Sequence, residues 1–414
     1  MVNAASDALL IDDFLPARRS LRVAIVTETY PPEVNGVAAT IARVVDGLRA
    51  RQHELQLIRP RQGRTDEPDE VAGFSEVLLR GLPIPRYPQL KMGMPSQRAL
   101  LQAWSERRPD VVHLVTEGPL GWSALRTALK LKLPVVSDFR TNFHAYSRHY
   151  GVAWLHNPIM RYLRKFHNRT ACTMVPTAAL QQSLSDNGFR RLKVVARGVD
   201  TKLFDPARRS AELRRSWGAD DDTMVVLCVG RLAAEKNLGA LATAYDAMAV
   251  ANPRIKLVLV GDGPARGALA ARLPSAAFAG VKRGEELAAH YASADVFLFA
   301  SVTETFGNVV PEAMASGLAV VAYDYAAASQ LIRYGQSGLL APLDDLDGLI
   351  AEATALSLAP GWARELGNRA RAVAMRMDWD RIIGLIESEY EQAVSFGPLT
   401  HSAMLQPPAL PARR

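Results

Sequence analysis

At 414 residues the chain is long enough for two ordinary hydrophobic cores rather than one. Its 49% apolar and 22% charged residues exclude an intrinsically disordered protein, and no run approaches the roughly 18 unbroken apolar residues of a membrane span. The formal net charge of +7 is uneven: residues 1–200 hold 28 Lys/Arg against 18 Asp/Glu, a surplus that suits an anionic partner or merely scattered surface charge.

Taken in chain order, the opening MVNAASDALLIDDFLPARRS carries acids where an export signal would be basic. A cytoplasmic protein is therefore expected, with residues 1–19 as a flexible segment. Short apolar runs then alternate with longer amphipathic stretches, the pattern of parallel sheets covered by helices on both faces. Strands are expected at 21–27, 55–58, 110–115, 134–139, 172–176 and 193–196. A second series is expected at 225–229, 257–260, 296–300, 318–322 and 338–341. Because doubly buried strands read as continuous apolar runs, two series imply two sheets and two domains. The boundary is expected near 200–216, where TKLFDPARRS has a proline and charges but no long apolar run. Helices are expected at 346–356, 362–375 and 379–394, and the proline-rich tail after 397 reads as unpacked.

Cys172 and Cys228 sit in apolar runs and read as buried free thiols, too few for a cysteine-based zinc site. Asn168-Arg169-Thr170 is formally a glycosylation sequon, without meaning in a protein that is not exported. No Walker loop, HExxH, CxxC or GxSxG occurs. The segment Val260-Gly261-Asp262-Gly263-Pro264-Ala265-Arg266-Gly267 is one residue off the dinucleotide fingerprint. Pro264 there suits the first position of a helix, which argues against NAD.

Three segments carry chemistry. In Glu304-Thr305-Phe306-Gly307-Asn308-Val309-Val310-Pro311-Glu312, two carboxylates flank a glycine-containing loop that leads into an expected helix at 312–316. Helix-terminal amides suit phosphate, and carboxylates accept strong hydrogen bonds from hydroxyls. Phosphate beside polyol means a nucleotide sugar, although either acid taken singly could be a helix cap or a solvated loop acid. In Gly230-Arg231-Leu232-Ala233-Ala234-Glu235-Lys236-Asn237, beyond a strand end, Arg231 and Lys236 offer a planar fork and a point charge to a diphosphate. A surface ion pair of Lys236 with Glu235 reads equally well. Third, Thr27-Glu28-Thr29-Tyr30-Pro31-Pro32-Glu33-Val34-Asn35-Gly36-Val37 follows the first strand and sets Gly36 near a helix start, although taken without the other two segments Pro31, Pro32 and Gly36 suit an ordinary rigid loop better.

Together these segments resemble glycosyltransferase family 4, the large retaining family with the GT-B fold. The resemblance rests on Glu304-x7-Glu312, on Gly230-Arg231 with Lys236, and on Tyr30-Pro31-Pro32 with Asn35-Gly36-Val37. It extends to Val175-Pro176-Thr177, Arg197-Gly198-Val199-Asp200, Val260-Gly261-Asp262-Gly263-Pro264 and Ala313-Met314-Ala315-Ser316-Gly317, and so spans about 22–395. Within the family the chain is most similar to bacterial GDP-mannose-dependent α-mannosyltransferases and the related glycolipid sugar transferases.

The resemblance implies an α/β architecture of two Rossmann-like domains facing a cleft. An acceptor-side domain would occupy 20–200 and a nucleotide-sugar domain 201–376. A helix over 377–396 would return to the first domain, leaving 397–414 as a flexible tail. It implies that Arg231 and Lys236 bind the donor diphosphate beside Gly230. Glu304 would engage sugar hydroxyls, and Phe306, Gly307, Asn308 and Val309 would lie near sugar or phosphate. Glu312 would hold the ribose, Val281 and Lys282 would face the base, and Gly36 would line the phosphates from the opposite domain. No cofactor or metal is implied; the Asp-x-Asp matches at Asp220–Asp222, Asp345–Asp347 and Asp378–Asp380 read as surface acids.

One departure stands out. Where many relatives carry histidine after the strand at 134–139, this chain has Arg140, with His144 four residues later. Either Arg140 takes over a transition-state contact or His144 reaches the sugar. His113 and Glu117 are further residues expected to touch the acceptor. The expected partners are a nucleotide sugar and a lipid or glycan acceptor, not nucleic acid. Basic residues at Arg161, Arg164 and Lys165 fit either an anionic membrane surface, on the inner face of the cytoplasmic membrane, or a solvated helix. A UDP-sugar-dependent glycolipid transferase, an epimerase of the same fold and a nucleotide-sugar-binding regulator are the alternatives.

Overall fold

The computed structural model describes residues 19–33, 35–84, 87–140 and 156–397. Its first part contains β1 (Arg22–Val26), β2 (Glu54–Pro60), β3 (Glu70–Val71), β4 (Phe74–Leu79), β5 (Gly81–Ile84), β6 (Tyr87–Gly93), β7 (Val111–Leu114), β8 (Val135–Asp138), β9 (Cys172–Val175) and β10 (Leu192–Val194). Eight of them form one sheet in the order β10-β9-β8-β7-β1-β2-β4-β3, while β5 and β6 make a separate antiparallel pair. All neighbours in the large sheet run parallel except β3 against β4. Helices α1 (Gly36–Ala50), α2 (Gln97–Glu106), α3 (Pro119–Lys130), α4 (His156–His167) and α5 (Ala178–Asp186) connect the strands.

The second part contains β11 (Met224–Val229), β12 (Ile255–Val260), β13 (Ala277–Gly280), β14 (Val296–Phe299), β15 (Ala319–Tyr323) and β16 (Leu339–Ala341). They form an all-parallel sheet in the order β13-β12-β11-β14-β15-β16. That is the doubly wound order of a dinucleotide-binding sheet, whose direction of winding reverses between the first and fourth strands. Its helices are α6 (Ala211–Ser216), α7 (Leu238–Ala251), α8 (Arg266–Arg272), α9 (Gly284–Ala292), α10 (Val309–Ala315), α11 (Ala326–Leu331), α12 (Leu346–Ser357) and α13 (Pro360–Ala374).

Strand β11 shows why continuous apolar runs are needed here. Val225, Leu227 and Val229 enter one core cluster while Met224, Val226 and Cys228 enter another, because successive side chains point to opposite faces. In the first sheet Val23 and Ile25 face one cluster, Ala24 and Val26 the other. Five strands escape this sequence signal, β3 to β6 and β13. β4 (FSEVLL) is only partly buried beyond Phe74, and β13 (AFAG) is short and partly exposed at a sheet edge.

The final helix, α14 (Trp379–Phe396), returns to the first sheet. Ile382, Ile383, Ile386 and Tyr390 pack in the same cluster as Ile41, Val44 and Leu48 of α1. A Cβ added to Gly47 would lie 2.6 Å from Ile383, so glycine permits the close approach of α1 and α14. Polar clamps fix the contact. The Glu387 carboxylate, 7% exposed, takes an ion pair from Arg51 and a 2.8 Å hydrogen bond with His53 Nε2. Arg51 also bonds Asp380 at 2.6 Å.

Cys172 and Cys228 are buried free thiols, as expected, and burial pushes the Cys228 thiol up to about 12. Pro264 does not open a helix: α8 starts at Arg266, two residues later. The glycines around it have a packing reason instead. A Cβ on Gly261 would lie 1.9 Å from the Gly230 carbonyl oxygen, and one on Gly263 would lie 2.4 Å from that of Leu232.

Candidate active site

The carboxyl ends of β11 and β14 lie side by side where the winding of the second sheet reverses, the place where open α/β sheets bind ligands. After β11 the chain passes Gly230 (φ 152°) and a 3-10 turn at Ala234–Lys236, then Asn237 in the left-handed region (φ 52°). This turn aims Lys236 across the reversal point. Its ammonium pairs with the carboxylate of Glu304, 68 residues later in the loop after β14. Ser301 Oγ donates to the same carboxylate at 2.8 Å, and Tyr325 donates its hydroxyl to the Glu304 carbonyl at 2.8 Å. Glu235 does not pair with Lys236. It is 2% exposed and binds Arg231, while its carbonyl accepts from Thr303 Oγ1 at 2.8 Å. Both pairs are local to this loop junction, so Arg231, Lys236 and Glu304 share one surface.

The rest of the acidic motif continues directly. Gly307 takes φ 91°, which an L side chain rarely adopts, and α10 begins at Val309 rather than at 312. Glu312 thus lies inside the first turn of that helix. Its carboxylate does not cap the helix but accepts from the Tyr291 hydroxyl at 2.9 Å. Burial pushes it up to about 7, against the lowering effect of that hydrogen bond. Phe306 is buried, whereas Asn308 reaches the first sheet's helix α1, where its Nδ2 donates to Thr40 Oγ1 at 3.3 Å. A Cβ on Gly36 would lie 3.7 Å from that same nitrogen, so Gly36 faces the acidic loop from the other side of the cleft. The neighbouring amides of Val37 and Ala38 are already taken by the Asn35 cap, at 3.0 and 2.8 Å, and are not offered to a ligand.

Val281 and Lys282 follow β13, on the same carboxyl edge but two strands from β11. Val281 is exposed, and Lys282 lies 3.7 Å from Glu286. They stand apart from the Lys236–Glu304 pair.

On the first sheet, Arg140 is buried at the end of β8 and forks onto Asp138. Burial opposes ionisation of Asp138, but Arg140 and His113 outweigh it and hold the carboxyl well below the usual range. His113, fully buried, lies 3.1 Å from Asp138 and bonds the Tyr390 hydroxyl at 2.8 Å. Glu117, 4% exposed, pairs with the buried His167 at 3.2 Å. Neither His113 nor Glu117 is therefore placed to touch an acceptor: strand β7 turns His113 under α14, and Glu117 is bound inside the fold. His144 lies outside the described residues.

Two further charged residues belong to this region without a role that the motifs assign them. Glu28, from the loop after β1, accepts from the Leu120 amide at 2.9 Å, and burial pushes it up to about 7. Arg197, 8% exposed, stands over the Phe306 ring at 5.9 Å from its centroid. Its Arg-Gly-Val-Asp string was visible, but nothing in the string tells where the guanidinium goes.

The Asp-x-Asp matches have structural explanations. Asp220 and Asp222 face Arg254 on the surface, Asp345 caps α12, and Asp378 caps α14. Among the described residues no group of three or more His, Cys, Asp and Glu side chains is arranged to hold a metal ion.

The chain is similar to known glycosyltransferases along most of its length. Residues 34–203 match the model described as Glycosyltransferase Family 4, and residues 223–358 match that of Glycosyl transferases group 1. A GDP-mannose-dependent alpha-mannosyltransferase of Mycobacterium tuberculosis is 36% identical over 81% of this chain and 87% of its own length. One of the same description from Corynebacterium glutamicum is 32% identical over 92% of each chain. Among solved structures, a sucrose-phosphate synthase from Thermosynechococcus elongatus superposes with a TM-score of 0.73 at 17% identity, covering 91% of this chain and 100% of that one. Its likeness supports the GT-B fold. With this fold, these motifs and relatives of this identity, the chain belongs to glycosyltransferase family 4 and is a retaining hexosyltransferase.

Proposed function

We propose that the enzyme transfers mannose from GDP-mannose to a lipid or glycan acceptor, without a metal and by same-face attack. The observation that carries this reading is the Lys236–Glu304 pair across the reversal point of the second sheet. In the absence of donor each charge satisfies the other. A nucleotide sugar offers both a better partner: diphosphate for Lys236 and Arg231, hexose hydroxyls for Glu304. In the same-face route the departing diphosphate accepts the acceptor's proton, so the cations neutralise charge where it develops. Glu312 would accept from the ribose, with Val281 and Lys282 near the base and Gly36 beside the phosphates. The described mannosyltransferases support GDP-mannose as the donor.

Donor identity is tested by thermal shift with GDP, UDP and ADP, followed by transfer assays with the matching sugars in EDTA. Ligand binding raises the midpoint by mass action. GDP is expected to stabilise most, and EDTA to leave turnover intact. Stabilisation by UDP instead would move the assignment to a UDP-sugar glycolipid transferase; a glycolipid product is in keeping with the alpha-monoglucosyldiacylglycerol synthase of Streptococcus pneumoniae, 27% identical over 80% of this chain.

No helix among the described residues is long and apolar enough to cross a membrane. A lipid acceptor would be reached from the surface, where α4 exposes Arg161, Tyr162, Arg164 and Lys165 and buries Leu163 and Phe166. Its apolar side is thus spent on the core, so the attraction to anionic lipid would be mainly electrostatic and salt-sensitive.

A further inference from the structure

Two guanidiniums from different strands of the first sheet converge on the cleft. Arg140 follows β8 and Arg197 follows β10; they are 9% and 8% exposed, and both line one cavity with Thr40 and Trp379. Arg140 has a partner in Asp138, yet its Nη1 is buried without a hydrogen-bond acceptor. Arg197 Nη2 is likewise buried and unbonded, and among the described residues no carboxylate lies within ion-pair distance of Arg197. The cluster of Asp138, Arg140 and Arg197 therefore carries one more cation than anion, with two donor groups turned away from water. Burial of an uncompensated charge is expensive, and an unmet buried donor adds to the penalty. Burial, with the Arg140 charge adding to it, pulls the Arg197 guanidinium down to about 9, against the weaker opposing pull of the Asp138 and Glu304 charges. The site also faces the donor loop, since Arg197 overlies Phe306, two residues from Glu304.

We propose that Arg140 and Arg197 form a receptor for an oxyanion, a carboxylate, sulfonate or phosphate, carried by the acceptor or by the transferred sugar. This rests on the glycosyl-transfer reading above and deepens it: the enzyme selects a charged substrate over its neutral counterpart. Two N–H donors from separate strands hold the group, and the buried charge is neutralised on binding. Each charge-assisted hydrogen bond in so dry a setting contributes on the order of tenfold or more in affinity. The donor diphosphate, served by Arg231 and Lys236, needs neither residue.

The test pairs substrates that differ by one charge. Acceptors are octyl glucoside and octyl glucuronide, and donors are UDP-glucose and UDP-glucuronate beside GDP-mannose. kcat/KM is measured for the wild-type enzyme, Arg197→Gln and Arg197→Lys. The expected result is that the wild type favours the charged member of one pair at least tenfold. Arg197→Gln should lower that ratio by on the order of 10- to 100-fold, and Arg197→Lys should restore part of it. Preference within the acceptor pair assigns the oxyanion to the acceptor, and preference within the donor pair assigns it to the transferred sugar. A wild-type enzyme indifferent to charge, or equal losses on charged and neutral substrates, overturns the proposal; equal losses would give Arg197 to the diphosphate. Thermal shift with GDP and UDP is run on each variant, so a misfolded protein shows as a lost transition. If no nucleotide binds the wild type, the transfer reading itself has failed; if nucleotides bind and transfer proceeds without charge preference, only the receptor has.

Discussion

The two sheets share one reversal of winding and use it differently. Each reverses its winding beside its first strand, β1 against β7 in one and β11 against β14 in the other. In the second sheet the charges at that point stay within reach of solvent: the side chains of Lys236 and Glu304 are 24% and 14% exposed. In the first sheet the charges behind the equivalent point are spent inside the fold: His113 is buried against Asp138 and Tyr390, and Glu117 is buried and paired with His167. A strand end at a reversal point is therefore a place for a site, and the side chains' existing partners decide whether ligand chemistry happens there. On the first sheet the groups left over are Arg140, after β8 one strand beyond β7, and Arg197, after the edge strand β10.

The comparison breaks first at Lys236. Lys236→Ala is expected to lower turnover by about 100-fold or more, because a preorganised cation at developing charge is worth that much. Steady-state transfer rates check it, and unchanged turnover would show that the Glu304 pair is merely structural. Next in size is the clamp that holds α14 to the first sheet. Glu387→Ala leaves Arg51 without its buried carboxylate and should destabilise the fold by about 3 kcal/mol, read as a lower denaturation midpoint. If the midpoint stays put, α14 is held by its apolar face alone.

The smallest effect concerns pH. Folding raises the Glu312 carboxyl from the ordinary 4.5 to about 7, so the folded state holds its proton more tightly. This contribution to stability is present below about 4.5, declines as pH rises through the window to 7, and is gone above it. Glu312→Gln should flatten the decline between pH 5 and pH 8 by on the order of 2 kcal/mol relative to the parent. Ribose binding works in the opposite sense, since the ionised carboxylate is the better acceptor. Nucleotide affinity should thus improve from pH 6 to pH 8 in the parent and change little in the variant. Matching pH profiles in both proteins would remove Glu312 from the site.

Much of this was readable in the chain. Continuous apolar runs mark most strands because burial on two faces leaves no room for polar alternation; the partly buried strands Phe74–Leu79 and Ala277–Gly280 lack that constraint and carry no such run. The helix after the acidic loop was expected three residues too late. Its first turn, Val309 to Pro311, reads as strand or breaker residues, and tertiary packing of Val310 and Pro311 overrides that preference. His113 and Glu117 looked available for an acceptor because a sequence shows residue type and not burial.

By itself the sequence determined two series of parallel strands, a final amphipathic helix and the motif residues at the carboxyl strand ends, because periodicity and turn chemistry are local properties; the return of that helix to the first sheet was implied by the family resemblance alone. Tertiary structure alone decided which charges meet. Lys236 takes Glu304, 68 positions away, and leaves its neighbour Glu235 to Arg231. Arg197 arrives beside Arg140 with no carboxylate of its own among the described residues. Electrostatic pairing depends on distance through space and on exclusion of water, and both are set only when the strands have been ordered and the sheets brought together.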